Sequence, residues 1–331
     1  MAIETLLEEI KEDVSDVFKT GFTYYITSSV PNRSDSLLTF ERNVEKKGKV
    51  LETCVLFVDI RNSVSLTQTH HNQTMGRIYT AFAKAVLKSA KYHSGHIRNI
   101  LGDRIMIVFP EKDCFKNAVD CAITINHLSE NIINKVFEKV DFKCGIGIDY
   151  GSLRVIKVGL QRQGHEATEN RSLVWVGYPA NIASRLTDVA NKSWDETYFE
   201  VTRNPINSSH RFFPLNTLSS LFGNSKYNPN EPYYSSTVET LEMTTEEFAN
   251  NIGSIQDGSL YMRGGKFIRF EKKKRKVSYP AILITEAVYK GYKDSNPERN
   301  DIRENYWMKQ SHNIKNVSGE IYGSEIFWKT K

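Results

Sequence analysis

The ten residues CVLFVDIRNS, 54–63, are apolar on both faces through Val55, Leu56, Phe57, Val58 and Ile60. They place a carboxylate at Asp59 and close on the polar turn Arg61-Asn62-Ser63. A run that is apolar at consecutive positions is a strand buried on both faces, as in a sheet covered by helices. An aspartate at such a strand tip serves as a turn former or a helix cap. Any further role for Asp59 has to come from what the rest of the chain brings beside it.

Downstream, Met75, Ile78, Tyr79, Phe82, Val86, Leu87 and Ala90 keep an i, i+3, i+4 spacing and predict a long helix ending at HSGH. HIRNI, then Gly102-Asp103, then RIMIVF predicts a hairpin, because Gly-Asp between two apolar runs signals a tight turn. A second helix is expected over 113–130. DFKCGIGIDYG (141–151) alternates as a strand, and SLRVIKVG is expected to fold back and pair with it. A loop, LQRQGHEATENR, leads to the strand LVWVG and the helix YPANIASRLTDVA. The order β-α-β-β-α-β-β-α predicts an α/β fold of the α+β type, a mixed sheet backed by helices.

Upstream, residues 1–20 read as an amphipathic helix, with Ile3, Leu6, Leu7, Ile10, Val14, Val17 and Phe18 near helical spacing. Residues 28–49 are polar and rich in Ser and Lys. From 191 to 277 the apolar pattern thins out around short pieces, RFFPLNTLSSLFG and GSLYMRGGKFIRF, and ends in EKKKRK. Order returns with YPAILITEAVYKGYK, a strand then a helix, and NIKNVSGEIYGSEIFW closes the chain as a hairpin-like run. The five cations at 272–276 read as a solvated loop or edge. The neighbouring aromatics Phe267, Phe270 and Tyr279 leave nucleic-acid contact as the sharper alternative.

The 331 residues allow one large domain or two smaller ones. With 40% apolar and 25% charged residues the composition is that of an ordinary soluble protein. No apolar run reaches the length of a membrane-spanning helix. The acidic, amphipathic start predicts no secretory signal. Cys54, Cys114, Cys121 and Cys144 show neither CxxC pairing nor an accompanying histidine cluster. They read as small core residues in a reducing, cytoplasmic compartment. A net charge of +5 suits an anionic ligand and does not demand nucleic acid.

Asp59 and Asp103 gain meaning together. One ends a buried strand and the other lies in the turn of the next hairpin, so neighbouring strands would bring both carboxylates to one sheet edge. Such a pair repels unless a divalent cation sits between. A carboxylate pair with a backbone carbonyl holding Mg²⁺ or Mn²⁺ is a common way of handling nucleotide phosphates. Asp103 alone is also explained as a hairpin residue. Asn181 and Arg185 are i and i+4 on one predicted helix, with Ile182, Leu186 and Val189 on the other face. That polar face is either solvated or aims a donor and a fixed cation at a charged transition state.

Strand-Asp-turn, hairpin Gly-Asp, and Asn-x-x-x-Arg on a helix, in this order, resemble the catalytic domain of class III nucleotidyl cyclases over about 50–190. AILITEAVYKGY and NIKNVSGEIYGSEIFW are similar to the family's later strand, helix and closing strands. The resemblance implies a layout of 1–49 helix and linker, 50–190 catalytic core, 191–277 insertion, and 278–331 return to the sheet. It implies that Asp59, Asp103 and the Ile60 carbonyl hold two Mn²⁺ or Mg²⁺ ions, and that the 61–63 turn cradles the triphosphate. It implies that Asn181 orients the ribose and Arg185 stabilises charge on the α-phosphate. A head-to-tail homodimer with two shared sites follows, each taking the metal side from one chain and the Asn/Arg side from the other.

The chain departs from the family at several positions. Asn62 stands where Gly is usual, which is tolerable because Asn adopts positive φ. Ser63 replaces Phe. Arg61 adds a cation that either meets phosphate or points to solvent. Where the family reads a purine, this chain has Asn99 and Val174, and neither purine pattern is met. Arg104 is either a salt-bridged structural residue or a contact to the base. This profile resembles the Pycsar cyclases of bacterial antiphage defence, which make cyclic UMP or cyclic CMP and signal to a cyclic-nucleotide-gated effector. It implies UTP ahead of CTP. An adenylate cyclase and a degenerate, nucleotide-binding cyclase fold are the alternatives. A diguanylate cyclase would carry a GGEEF-like hairpin, and none is present.

Overall fold

A computed structural model of the protein describes residues 2–69, 71–138, 140–159, 161–162, 165–166, 171–207, 230–254, 260–311 and 314–329. In chain order the elements begin with α1 (Ile3–Lys19), β1 (Phe22–Ile26), β2 (Lys46–Ile60), α2 (Ser63–Thr69), α3 (Asn72–Tyr92), β3 (His96–Leu101), β4 (Arg104–Val108) and α4 (Cys114–Leu128). A π turn at Ser129–Ile133 leads to α5 (Asn134–Val136), β5 (Cys144–Val158), β6 (Gln161–Arg162), β7 (His165–Glu166), β8 (Ser172–Val176) and α6 (Tyr178–Val189). Then come β9 (Ser193–Pro205), β10 (Glu239–Thr244), α7 (Thr245–Asn251), β11 (Ile252–Ser254), β12 (Leu260–Met262) and β13 (Gly265–Ser278). The chain closes with β14 (Ile282–Thr285), α8 (Glu286–Ser295), α9 (Asn300–Arg303), β15 (Met308–Lys309) and β16 (Ile321–Ser324). It divides into two compact units, Met1–Lys192 with Tyr279–Lys331, and Ser193–Ser278.

In the first unit the doubly apolar run at 54–60 is the heart of the sheet. The strand path is β15-β16-β14-β5-β2-β4-β3, with β1 also pairing β2 and β8 also pairing β5. β2 is antiparallel to β4 and to β5, and β14 lies parallel to β5. Alternation along β2 splits the core between the two faces. Cys54, Leu56, Val58 and Ile60 pack with Ile78, Phe82 and Val86 of α3, Ala118 and Ala122 of α4, and Tyr292 of α8. Val55 packs on the other face with Met106, Leu153 and Ala180 and Ala183 of α6. All four cysteines are buried and free. Among the described residues no helix is long and apolar enough to cross a membrane.

Two expected details are corrected. Tyr150-Gly151-Ser152 looks like a turn, yet β5 runs straight through it. SLRVIKVG therefore does not fold back on 141–151; it continues the same strand against β2, from Lys49↔Val155 to Ile60↔Cys144, and takes β8 on its other side. The length of β2 decides this, since a strand that long offers ladder bonds to the whole of 144–155. At the C-terminus, NIKNVSGEIYGSEIFW supplies the single strand β16, whose partners are β14 and β15 rather than a second strand within the run.

α6 reaches the sheet because β5 has glycines beneath it. A Cβ on Gly147 would overlap the Ala183 carbonyl oxygen and sit 2.6 Å from the Thr187 amide nitrogen, both helix backbone. Gly147→Ala is expected to destabilise the protein by about 2–3 kcal/mol, since backbone cannot yield as a side chain does. Urea unfolding measures this, and a change below about 0.5 kcal/mol would show that α6 sits less tightly than described.

The second unit is an antiparallel sheet in the order β10-β9-β13-β12-β11. Its core is Val201, Met243 and Met262 with Phe199, Phe248 and Phe267. A capping box between Thr244 and Glu247 starts α7. Of the loop and the edge expected for the cations at 272–276, the edge is seen: they lie on β13 where β9 is its one strand partner among the described residues. Lys273 pairs with Glu200, and Arg275 pairs with Glu196 and Glu242. The piece RFFPLNTLSSLFG lies outside the described residues, as does most of the loop LQRQGHEATENR.

Candidate active site

The odd-numbered side of β2 that carries Val55 also carries Asp59, so the carboxylate emerges on the α6 face of the sheet. Arg104, the first residue of β4 after the Gly102-Asp103 turn, reaches the same place. Its Nη2 stands 2.7 Å from Asp59 Oδ2 and 2.5 Å from Asp188 Oδ1, and Nη1 donates to Ser184 Oγ at 2.9 Å. One guanidinium thus ties the end of β2 to α6. Burial works against its charge, and the bonds to Asp59 and Asp188 outweigh this, leaving Arg104 above its ordinary pKa. Of the two roles expected for Arg104, the salt-bridged one is the one seen.

Arg61 neither meets solvent nor faces outward toward a ligand. Its side chain is 5% exposed, its Nη1 lies 3.9 Å from Asp59 Oδ2, and its Nη2 donates to the Thr187 carbonyl. Gly145 makes the room, because a Cβ there would overlap the guanidinium. Burial pulls the Arg61 pKa down, and the neighbouring Asp59 opposes the shift. Arg61 therefore orients Asp59 from behind. Asn62 adopts φ +54°, the conformation that explains why Asn can replace Gly here. Ser63 opens α2, and the Ile60 side chain points into the core.

Asp103 has no hydrogen-bond or ion-pair partner among the described residues, and Asp59 Oδ1 takes no hydrogen bond there either. β4 pairs with β2 as far as Val58↔Ile105, and Arg104, which directly follows Asp103, bonds Asp59, so the two carboxylates lie at the same end of neighbouring strands. Burial first, and then the charge of Asp103, raise the pKa of Tyr79. No group of three His, Cys, Asp or Glu side chains assembles anywhere among the described residues. A site here would rest on two carboxylates and a main-chain carbonyl. Those all-oxygen donors, with Asp103 and one Asp59 oxygen unengaged, fit a hard divalent cation.

α6 turns Asn181, Arg185 and Asp188 outward, with Ser184 beside them at the same i, i+3, i+4, i+7 spacing. Asn181 and Arg185 are exposed and have no side-chain partner among the described residues. Within one chain, then, the Asn/Arg pair does not close on the carboxylates.

Asn99 pairs with Met106 beyond a bulge at Arg98, on the α6 face. Val174 pairs with Ile156, whereas its neighbour Trp175 pairs with Val155 and packs on the α6-face core. Alternation places Val174 on the face opposite Asn99. Trp175 shares the face of Asn99, with the Arg98 guanidinium carbon 5.7 Å from the centroid of its ring.

Several residues of this neighbourhood lie outside the set predicted from the sequence. Ser184 and Asp188 were findable, since they share the helical spacing of Asn181 and Arg185. Tyr79 was masked by fitting the apolar rhythm of α3. Arg98 and Trp175 carry no motif.

No protein-family model matches the chain. It is 30% identical over 192 residues to a uridylate cyclase of Burkholderia cepacia, an alignment covering 56% of this chain and 79% of that protein. It is 26% identical over 204 residues to a uridylate cyclase of Gulbenkiania mobilis, covering 57% and 74%. The crystal structure of the adenylyl cyclase CyaB from P. aeruginosa superposes at a TM-score of 0.45 and 14% identity, covering 83% of this chain and 94% of that one. The chain belongs to the class III nucleotidyl cyclases. It is a nucleotide cyclase by relationship, and what it cyclises is a separate matter.

Proposed function

We propose that the protein converts UTP to 3′,5′-cyclic UMP and pyrophosphate, at two sites shared between the chains of a homodimer. The observation that carries the reading is the placing of Asp59 and Asp103 at one end of the neighbouring strands β2 and β4, while Asn181 and Arg185 stand exposed on the same chain. Each half of a site is present, and each lacks its complement. A second chain supplies the complement by symmetry.

In this reading Asp59, Asp103 and the Ile60 carbonyl hold two Mn²⁺ or Mg²⁺ ions, which supply a lowered 3′-OH pKa and charge neutralisation. Asn181 positions the ribose. The 3′-hydroxyl gives its proton to solvent water, its oxygen attacks the α-phosphorus, the bond to the bridging oxygen breaks, and pyrophosphate leaves. Arg185 stabilises the negative charge that grows on the α-phosphoryl oxygens. Arg61 and Arg104 keep Asp59 oriented while its Oδ1 stays available.

Two lines support a pyrimidine. Three relatives at 26–30% identity are named uridylate cyclases, and one at 27%, from Staphylococcus aureus, a cytidylate cyclase. Asn99 offers both a donor and an acceptor, and no charged side chain of the purine-reading kind stands at that position. CTP is the second reading, since Asn99 can meet N4 of cytosine as well as O4 of uracil. The product fits a second messenger in bacterial antiphage defence, made in the cytoplasm for a cyclic-nucleotide-gated effector. The test of substrate is identification of the cyclic product by mass spectrometry.

Tyr79 acts as a positioning residue in this scheme. Tyr79→Phe removes a hydroxyl whose pKa is raised by burial first and then by the charges of Asp103 and Asp59. Metal activation is expected to weaken about tenfold with stability unchanged, as for other outer-shell groups. A titration of activity against Mn²⁺ reads the effect, and an unshifted midpoint removes Tyr79 from the site.

A further inference from the structure

A tight reversal joins α3 to β3. Ser94 takes φ +57°, the Gly95 amide donates to the Ala90 carbonyl, and the last turns of the helix come to lie beside the strand. Between them is a recess of about 460 Å³, within the range of sites that hold small organic ligands. Its polar side chains are all basic, Lys88 and Lys91 from α3 and His96 and Arg98 from β3, and Leu87 and Ile97 give it an apolar part. None of the four basic groups has an ion pair among the described residues. Arg98 is half-buried, its Nε is buried without a partner, and its Nη1 donates only to the Ile97 carbonyl, at 3.4 Å. Burial pulls the Arg98 pKa down with no carboxylate to oppose the shift. Burial, and then the Arg98 charge, also hold His96 below its ordinary pKa, so at neutral pH it offers a hydrogen bond rather than a fourth charge.

We propose that this recess binds a nucleotide through its diphosphate, with the phosphates against Lys88, Lys91 and Arg98 and the base on Leu87 and Ile97. Charge taken out of water is costly unless it is paired, and this chain supplies no pair. A lysine in a last helical turn answers the helix dipole, which accounts for Lys91 but for neither Arg98 nor the missing carboxylates. Three fixed cations around one recess match a diphosphate better than a single carboxylate. An apolar floor suits the face of a base better than a sugar. The recess lies apart from the catalytic carboxylates. Tyr79 feels the charge of Asp103, and Lys88 and Lys91 stand about 14 and 18 Å farther along the same helix. A nucleotide held there occupies neither half of the proposed catalytic site.

The test is calorimetric titration of the full chain with ADP and with inorganic pyrophosphate, in EDTA at physiological salt. It reads binding without divalent metal, and not turnover, so it succeeds or fails apart from the cyclase reading. ADP is expected to bind once per chain. It should bind about fivefold or more tightly than pyrophosphate, which has nothing to lay on Leu87 and Ile97. Lys88→Gln with Lys91→Gln should weaken ADP about tenfold or more, through the loss of two charge-assisted contacts. Both lysines are exposed, so the unfolding midpoint of the double variant should match wild type. Arg185→Ala should leave the affinity for ADP unchanged. Absence of ADP binding, an undiminished affinity in the double variant, pyrophosphate as tight as ADP, or loss of ADP binding in Arg185→Ala would each overturn the proposal.

Discussion

Asp59→Ala and Asp103→Ala are each expected to lower turnover about 10³-fold or more, roughly 4 kcal/mol of transition-state stabilisation. Each removes one of the two carboxylates that the proposed mechanism needs to hold metal. Neither should unfold the protein, because neither residue belongs to an apolar cluster. Asp103→Ala is the cleaner of the two, since its side chain has no partner among the described residues to strand. Asp59→Ala leaves Arg61 without its carboxylate, while Arg104 keeps Asp188 and Ser184. Activity above a few per cent of wild type in either variant, with the fold confirmed by its unfolding midpoint, rules out the metal assignment.

The second large effect is restoration. Asp59→Ala and Arg185→Ala proteins are each expected to be inactive alone, the latter by about 10²–10³-fold, as when one stabilising donor is removed. Mixed in equal amounts and allowed to exchange, they should recover about a quarter of wild-type activity. Half of the dimers are then mixed, and each mixed dimer has one intact site of two. The intact site joins Asp59 of one chain to Arg185 of the other. If a labelled-subunit control shows exchange and activity stays absent, each site lies within a single chain.

The central sheet was legible because Val55–Val58 is apolar at every position, a pattern that only a doubly covered strand tolerates. The hairpin at Gly102-Asp103 was legible from turn chemistry, and α6 from the period of Ile182, Leu186 and Val189. What the sequence concealed was set by distant partners. Tyr150-Gly151-Ser152 has the local chemistry of a turn, and only the length of β2 keeps it straight. Arg61 looks like a surface or phosphate-facing cation, and only the missing side chain at Gly145 lets it lie inside. The cations at 272–276 leave a loop and a strand edge equally open in sequence, because their carboxylate partners, Glu196, Glu200 and Glu242, are far away in the chain. Val174 and Trp175 are adjacent, and which of them shares a face with Asn99 depends on register alone.

The most direct measurement is to incubate the purified full chain with ATP, GTP, CTP and UTP together in the presence of Mn²⁺, and to identify cyclic products by mass spectrometry. Cyclic UMP is expected to dominate. Asn99 can donate to O4 of uracil or accept from N4 of cytosine, so it favours pyrimidines over purines without ordering the two, and the order rests on the relatives named uridylate cyclases. A mismatched exocyclic group at such a contact costs about 1–3 kcal/mol, enough for roughly tenfold or greater discrimination. Cyclic AMP or cyclic GMP as the dominant product would contradict the account of base selection, cyclic CMP would reverse its order of pyrimidines, and no cyclic product from any of the four would contradict the cyclase activity itself.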